Sequence, residues 1–224
     1  KEKIEWCILD SYGRNGDIST PMLDDNKIKE IKKILPGVSI NYKFIRKALD
    51  IGEKRNILVK MANNNTLVNM DSDDCYLKDY CTTIVDKPNI TIAGSPEMMF
   101  IYPLHDYKMA FIRCSSYRQI HEGCMGFTKK HWRRMGGFNA KGTGEGAGLF
   151  DNCVEKYFSK ISVENIMICV CHDTNTCPKD KFLNSEMEGA TMEGSHMDIL
   201  KHMFKDYPTA SRVPVQAPAV QCGE

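Results

Sequence analysis

An α/β fold with a largely parallel sheet is what this sequence predicts, on three observations. The chain has 224 residues, enough for one full hydrophobic core and short for two. Strand-like and helix-like segments alternate as β-α-β-α-β through about the first 70 residues. An acidic cluster, Asp71-Ser72-Asp73-Asp74, follows the third strand-like segment directly. In such alternation helices cover the faces of the sheet, and the ligand crevice lies at the carboxyl ends of the strands. Both Asp10 and Asp71 fall at such ends.

The first strand is predicted from Ile4, Trp6, Cys7, Ile8 and Leu9, and the polar residues 10–16 close it as a loop. Asp25 is a plausible N-cap for a helix carrying Ile28, Ile31, Ile34 and Leu35 at helical spacing, with Pro36-Gly37 as its stop. Residues 38–45 alternate like a second strand. Ile57, Leu58 and Met61 predict a helix over residues 53–62, and Asn63-Asn64-Asn65 ends it before a strand over residues 66–70. The second half is less regular. It predicts strands near residues 90–93 and 109–112, a short helix at 129–135, a helix around 149–159 and a strand at 166–171. Thr128 can cap the short helix with Phe127 and Trp132 at the two staple positions, and Gly136-Gly137 ends it. A last helix starts at Ser195, with Asp198 in capping-box position, and stops at Pro208; residues 208–224, with Pro208, Pro214 and Pro218, read as a linker or frayed end.

Thirty Lys and Arg against twenty-nine Asp and Glu leave a formal charge of +1, which supplies no field for nucleic acid or an anionic membrane. Any bound anion must be met locally. No apolar run approaches the ~20 residues that span a bilayer, and the chain enters a strand without a signal-peptide pattern, so a cytoplasmic protein is expected. Of the ten Cys, several sit in apolar runs such as Ile168-Cys169-Val170-Cys171, which predicts reduced, mostly buried thiols.

Three carboxylates in the four residues 71–74 repel one another unless a cation or donor groups offset their charge. A hard divalent ion, Mn²⁺ or Mg²⁺, does so, and takes phosphate oxygens as further ligands, which suits a site that neutralises a diphosphate. The bland alternative is a solvated acidic turn. Its place after an apolar strand favours the metal.

Lys54-Arg55-Asn56, the amphipathic helix, the Asn-rich turn and Leu67-Val68-Asn69-Met70-Asp71-Ser72-Asp73-Asp74 together resemble the donor half of family 2 GT-A glycosyltransferases, with Asp71-Ser72-Asp73 in the place of their DxD motif. The resemblance implies a GT-A fold: a Rossmann-like nucleotide-binding sheet in a three-layer α/β/α arrangement, beside a mixed acceptor-side half. It implies one domain over residues 1–207, with a donor half to about residue 100 and an acceptor half beyond it. Asp73 would then be a direct metal ligand, with Asp71 near the ribose or a metal-bound water, Ser72 beside them, and Arg55 on the nucleotide side. Asn56 is as readily structural.

Residues 121–128, then Trp132 and Met135-Gly136-Gly137-Phe138-Asn139, resemble the acceptor-side segment of the same enzymes, where a Gly-Glu-Asp motif follows. Here the sequence reads Gly144-Glu145-Gly146, so the Glu is kept and the Asp is lost. In inverting members a carboxylate at this place is the general base. With Gly146 there, Glu145 is the first candidate, Asp151 and Glu122 the alternatives, and capping of the next helix is the structural reading of Glu145. His172, in Val170-Cys171-His172-Asp173, resembles the strand-end His that completes the metal site in many GT-A enzymes; neutral imidazole can ligate Mn²⁺. Cys169, Cys171, His172 and Cys177 offer a rival zinc set, but Cys-x-Cys inside a strand lacks the turn of a CxxC knuckle. In the loop after the first strand Asp10 can accept from uracil or ribose, Ser11 stands beside it, Tyr12 can stack on the base and Arg14 can meet phosphate.

The expected activity is thus metal-dependent transfer of a hexose from a nucleotide sugar, a UDP-sugar first, to a hydroxyl of a glycan or glycoprotein. The size also resembles the compact glycosyltransferases of large DNA viruses. A nucleotidyltransferase that makes nucleotide sugars, and a degenerate carbohydrate-binding domain, are the alternatives.

Overall fold

A computed structural model describes residues 4–12, 20–87, 90–105, 107–114, 116–150, 153–173, 175, 179 and 182. It is a mixed α/β structure. Strand β1 (Ile4–Tyr12) and strand β2 (Val38–Ala48) run parallel, in register from Ile4 against Val38 to Ser11 against Ile45, with an irregularity before Tyr12. Helix α1 (Asp25–Ile34) joins them. Its N-cap is Asp24, one residue before the expected Asp25, and the Asp24 carboxylate accepts from the N–H groups of Asn26 and Lys27 at 2.9 and 2.8 Å.

Helix α2 (Ile51–Met61) begins two residues earlier than expected because Asp50 and Glu53 form a capping box; the Asp50 N–H donates to Glu53 Oε2 at 3.0 Å. Gly52, Arg55 and Val59, spaced at three and four residues, form its buried face. Strand β3 (Thr66–Val68) follows.

The remaining elements are β4 (Cys75–Tyr76), α3 (Tyr80–Val85), β5 (Ile92–Gly94), β6 (Glu97–Tyr102), β7 (Lys108–Arg113), β8 (Gly126–Thr128), α4 (Lys129–Met135), α5 (Ala147–Phe150), β9 (Phe158–Lys160) and β10 (Met167–Val170). Among the described residues the strands form three small sheets, β1-β2, β4-β10-β6-β7 and β3-β8-β5-β9. The single largely parallel sheet is therefore corrected. β3 pairs antiparallel with β8, Leu67 against Phe127, instead of extending the β1-β2 pair. Alternation of elements says which segments are strands; which edge each joins depends on the apolar partner, and β8 offers the fully buried Phe127 where β1 leaves Trp6 exposed.

Two other expectations change. The helix around residues 149–159 is one turn, α5, followed by a 3-10 turn at Glu155–Tyr157 and strand β9. Phe158 is drawn into β9 by its parallel register with Ile92 and its packing on Tyr117, ring centroids 5.4 Å apart. Strand β6, which the sequence analysis leaves out, is the centre of the larger core: Phe100, Ile101 and Tyr102 pack with Tyr80, Ile166, Ile168 and Val170. A second core gathers Val59, Ile92, Phe127, Phe138, Leu149 and Phe150.

Helix α4 forms as expected. The Thr128 side chain accepts from the His131 N–H, and Gly136, at φ 81°, takes the left-handed position that ends it. The eight described cysteines are free thiols, four of them buried. No helix among the described residues is long and apolar enough to cross a membrane. The expected last helix, the tail from residue 208, and Cys177 lie outside the described residues.

Candidate active site

A cavity of about 730 Å³ lies between the first turns of α2, the segment after β3 and the segment after β10. Arg55, Asp71, Ser72, Asp73, Asp74, Glu122, Glu145, His172 and Lys179 are among its lining residues. Residues 55, 71–73, 145 and 172, four stretches far apart in sequence, thus line one cavity.

Arg55 anchors one side. Its guanidinium meets both oxygens of Asp71, at 3.0 and 3.1 Å, and its Nε donates to Glu145 Oε1 at 2.8 Å. The side chain is only 6% exposed, so these two carboxylates are what makes its charge tolerable there. Burial lowers the pKa of Arg55, but Asp71 and Glu145 outweigh that and raise it above its ordinary value. Burial likewise raises the pKa of Asp71, and the Arg55 charge and hydrogen bonds more than reverse it.

Helix α2 also fixes the loop that carries Glu145. Asn56 Oδ1 accepts from Trp132 Nε1 and from the Phe138 N–H, both at 2.9 Å, while Asn56 Nδ2 donates to the Phe138 carbonyl at 2.8 Å. Asn56 is thereby structural: it clamps the Gly136-Gly137-Phe138 turn. Gly52 lies against the Asn139 carbonyl, where a Cβ would come within 1.7 Å, and the Gly52 N–H donates to the Lys141 carbonyl at 3.1 Å.

The Asp71 backbone is held from below. Its N–H donates to Tyr76 Oη at 2.7 Å, and Tyr76 Oη donates in turn to the Gly123 carbonyl at 2.9 Å. A Cβ on Gly123 would lie 2.6 Å from Asp71 Oδ2, so glycine there lets the carboxylate pass.

On the other side, Asp73 Oδ2 lies 3.1 Å from His172 Nε2. Asn175 orients the imidazole: its Oδ1 accepts from the His172 N–H at 2.8 Å, and its Nδ2 donates to the Val170 carbonyl at 3.3 Å and points at His172 Nε2 at 2.8 Å. Both contacts on Nε2 cannot be satisfied by one tautomer. If Nε2 accepts from Asn175, its one lone pair is used there and nothing bridges it to Asp73; if it carries a proton for Asp73, it opposes the Asn175 amide. A cation held by Asp73 and a neutral imidazole would take that same lone pair, so the Asn175 amide would have to turn away from Nε2.

Asp74 belongs to a different network. Its Oδ1 accepts from the Val170 N–H at 3.0 Å, and burial pushes its pKa up against the lowering charges of His121 and Lys179. Ligand atoms of Asp74, His121 and Cys169 lie within 4.8 Å of one another. Lys179 Nζ, 2.6 Å from Cys169 Sγ, already supplies a positive charge there. Of the rival zinc set, Cys169 lies in β10 and Cys171 just past its end.

The loop after β1 departs from expectation. Asp10 is 8% exposed, and its Oδ2 accepts from Tyr42 Oη at 2.9 Å and the Met22 N–H at 2.8 Å. Ser11 Oγ donates to the Tyr12 carbonyl at 3.3 Å, and Tyr12 packs on Phe44. Asp10, Ser11 and Tyr12 thus serve the β1-β2 pair, and Leu9 is the residue of this segment that reaches the cavity. Arg14 and Asp151 lie outside the described residues. Sequence reasoning passed over Lys179 altogether. Its signal is weak: a lysine in a polar segment, legible only once Cys169 is placed beside it.

No protein-family model matches the chain, and no curated protein matches it. Among solved structures it is similar to a mannosyltransferase, PcManGT from Pyrobaculum calidifontis, described in complex with GDP-Man and Mn²⁺, at 11% identity and a TM-score of 0.47. The similarity covers 75% of this chain and 56% of that one, so this chain spans little more than half the length of that protein.

Proposed function

We propose that the chain is a metal-dependent glycosyltransferase that moves a hexose from a nucleotide sugar, a UDP-sugar first, to a hydroxyl of a glycan acceptor. The observation that carries the reading is the meeting of Asp73 and His172, 99 positions apart in sequence, at the edge of a cavity of about 730 Å³. The volume suits a nucleotide-sugar-sized ligand.

Asp73 and His172 would hold the ion, with Asp71 beside them, and a carboxylate next to a neutral imidazole suits Mn²⁺ better than the oxygen-seeking Mg²⁺. Such an ion, when bound, offsets negative charge on the leaving diphosphate. Lys179 adds a second positive charge on that side of the cavity. Arg55 compensates Asp71 and Glu145, so that these carboxylates do not repel an anionic donor. The nucleoside then lies along Leu9, Ile51 and Leu58, and the acceptor hydroxyl gives up its proton on the Glu145 and Glu122 side.

The test is release of nucleoside diphosphate from a panel of UDP- and GDP-hexoses by the full chain. Release with Mn²⁺, lost on adding chelator and restored by Mn²⁺, is the expected result. Release that persists in chelator contradicts the metal; pyrophosphate formation from a sugar phosphate and UTP or GTP indicates a nucleotidyltransferase; and no turnover of any donor indicates a binding domain.

A further inference from the structure

Four carboxylates besides Glu122 line the cavity, and each has a partner: Arg55 holds Asp71 and Glu145, Asp73 meets His172, and Asp74 accepts from the Val170 N–H. Glu122 has no ion pair among the described residues. A Cβ on residue 146 would lie 2.6 Å from Glu122 Cγ and 3.3 Å from Oε1. The Glu122 side chain therefore occupies the volume that any side chain at position 146 would need.

The placement is built, not incidental. Glu122 opens the 3-10 turn Glu122–Cys124, where His121 Nδ1 accepts from the Gly123 N–H at 3.1 Å, and Asn69 Nδ2 holds the Glu122 carbonyl at 2.9 Å. Asn69 lies two positions before Asp71, so the turn and the cluster share a support.

We propose that Glu122 is the catalytic base, taking the acceptor hydroxyl proton from the place that glycine at 146 leaves open. This rests on the reading of the chain as a sugar transferase. In the step, the bond from sugar C1 to the β-phosphate oxygen breaks and its electron pair leaves with the nucleoside diphosphate. The bond from C1 to the acceptor oxygen forms, and the proton of that hydroxyl passes to Glu122. Burial, and next the charge of Glu145, push the pKa of Glu122 above the ordinary carboxylate range, which strengthens it as a base.

Hydrolysis of UDP- and GDP-hexoses, with water as the acceptor, tests this in the full chain. Glu122→Gln is expected to lower the rate by about 10² or more. The thermal shift given by Mn²⁺ with UDP stays, and the unliganded protein melts at the same or a higher temperature, because a buried charge is removed. The double variant Glu122→Ala/Gly146→Asp, which moves the carboxylate across the gap, is expected to regain about tenfold over Glu122→Ala alone. Glu122→Gln that keeps its rate overturns the proposal, as does a loss of rate accompanied by a lower melting temperature. A loss confined to Glu145→Gln overturns it in favour of Glu145. Wild-type turnover separates the two claims: its absence sinks the transferase reading and this inference together, whereas its presence with an unaffected Glu122→Gln sinks this inference alone.

Discussion

On the α2 side of the cavity Arg55 is 6% exposed and both its carboxylate partners are in place; on the β10 side Asp73 is 47% exposed and faces an imidazole nitrogen through a contact that needs a proton or a cation. The first cluster is saturated by its own ion pairs, and the second is half-open to solvent at Asp73. In the proposed reading, Arg55 and Glu145 hold the cavity in shape, and Asp73 and His172, with Asp71 beside them, meet what the cavity binds.

The largest effect expected from this difference is that of Arg55→Met. Removing the guanidinium leaves the buried Glu145 and the partly buried Asp71 uncompensated, and should cost about 3–5 kcal/mol in urea denaturation. A loss under about 1 kcal/mol would mean that water reaches both carboxylates. The same cluster fixes an acid response. Because the folded-state pKa of Asp71 lies below its ordinary 3.8, the stability it contributes is fully present above that value and is lost as pH falls through the lower, folded-state pKa. Arg55→Met should flatten this fall.

Next comes Glu145→Gln, which exchanges a charge-assisted bond to Arg55 for a weaker one and should cost about 1.5–3 kcal/mol in the same measurement. An unchanged protein would place Glu145 with the half-open group. Asp10→Ala should cost about 1–2 kcal/mol by stranding the Tyr42 hydroxyl and the Met22 N–H, yet leave kcat/KM for donor cleavage within about twofold. A large loss of kcat/KM at full stability would return Asp10 to the donor site.

The same contrast explains what was legible in the sequence. The caps, the breaks and the short helix α4 rest on contacts a few residues apart, and they are read correctly to within two residues for α1, α2 and α4. That Arg55, the 71–74 cluster, Glu145 and His172 line one cavity was legible through the resemblance that grouped their motifs, not through the alternation of strands and helices. Strand partnership was not. The pairing of Leu67 with Phe127 depends on a hydrophobic partner 60 positions away, and no local pattern reports it. The contacts of Asp10 were not legible for a related reason. An Asp at a strand end reads as a ligand contact, and only the placement of Tyr42 on the neighbouring strand shows where its oxygen is used. Gly146 read as a loss, whereas the space it opens is occupied from residue 122.

The smallest expected effect on stability is that of Asp73→Ala, within about 0.5 kcal/mol for an exposed pair, and the same variant tests the central claim most directly. Melting temperatures of the wild type and of Asp73→Ala would be measured with Mn²⁺ alone, with UDP or GDP alone, and with both. In the wild type the joint shift should exceed the sum of the separate shifts, because ion and diphosphate complete each other's ligand shells, and in Asp73→Ala that excess should vanish while the unliganded protein melts as before. Additive shifts in the wild type, or an undiminished joint shift in the variant, would contradict a nucleotide site built on a cation at Asp73 and His172.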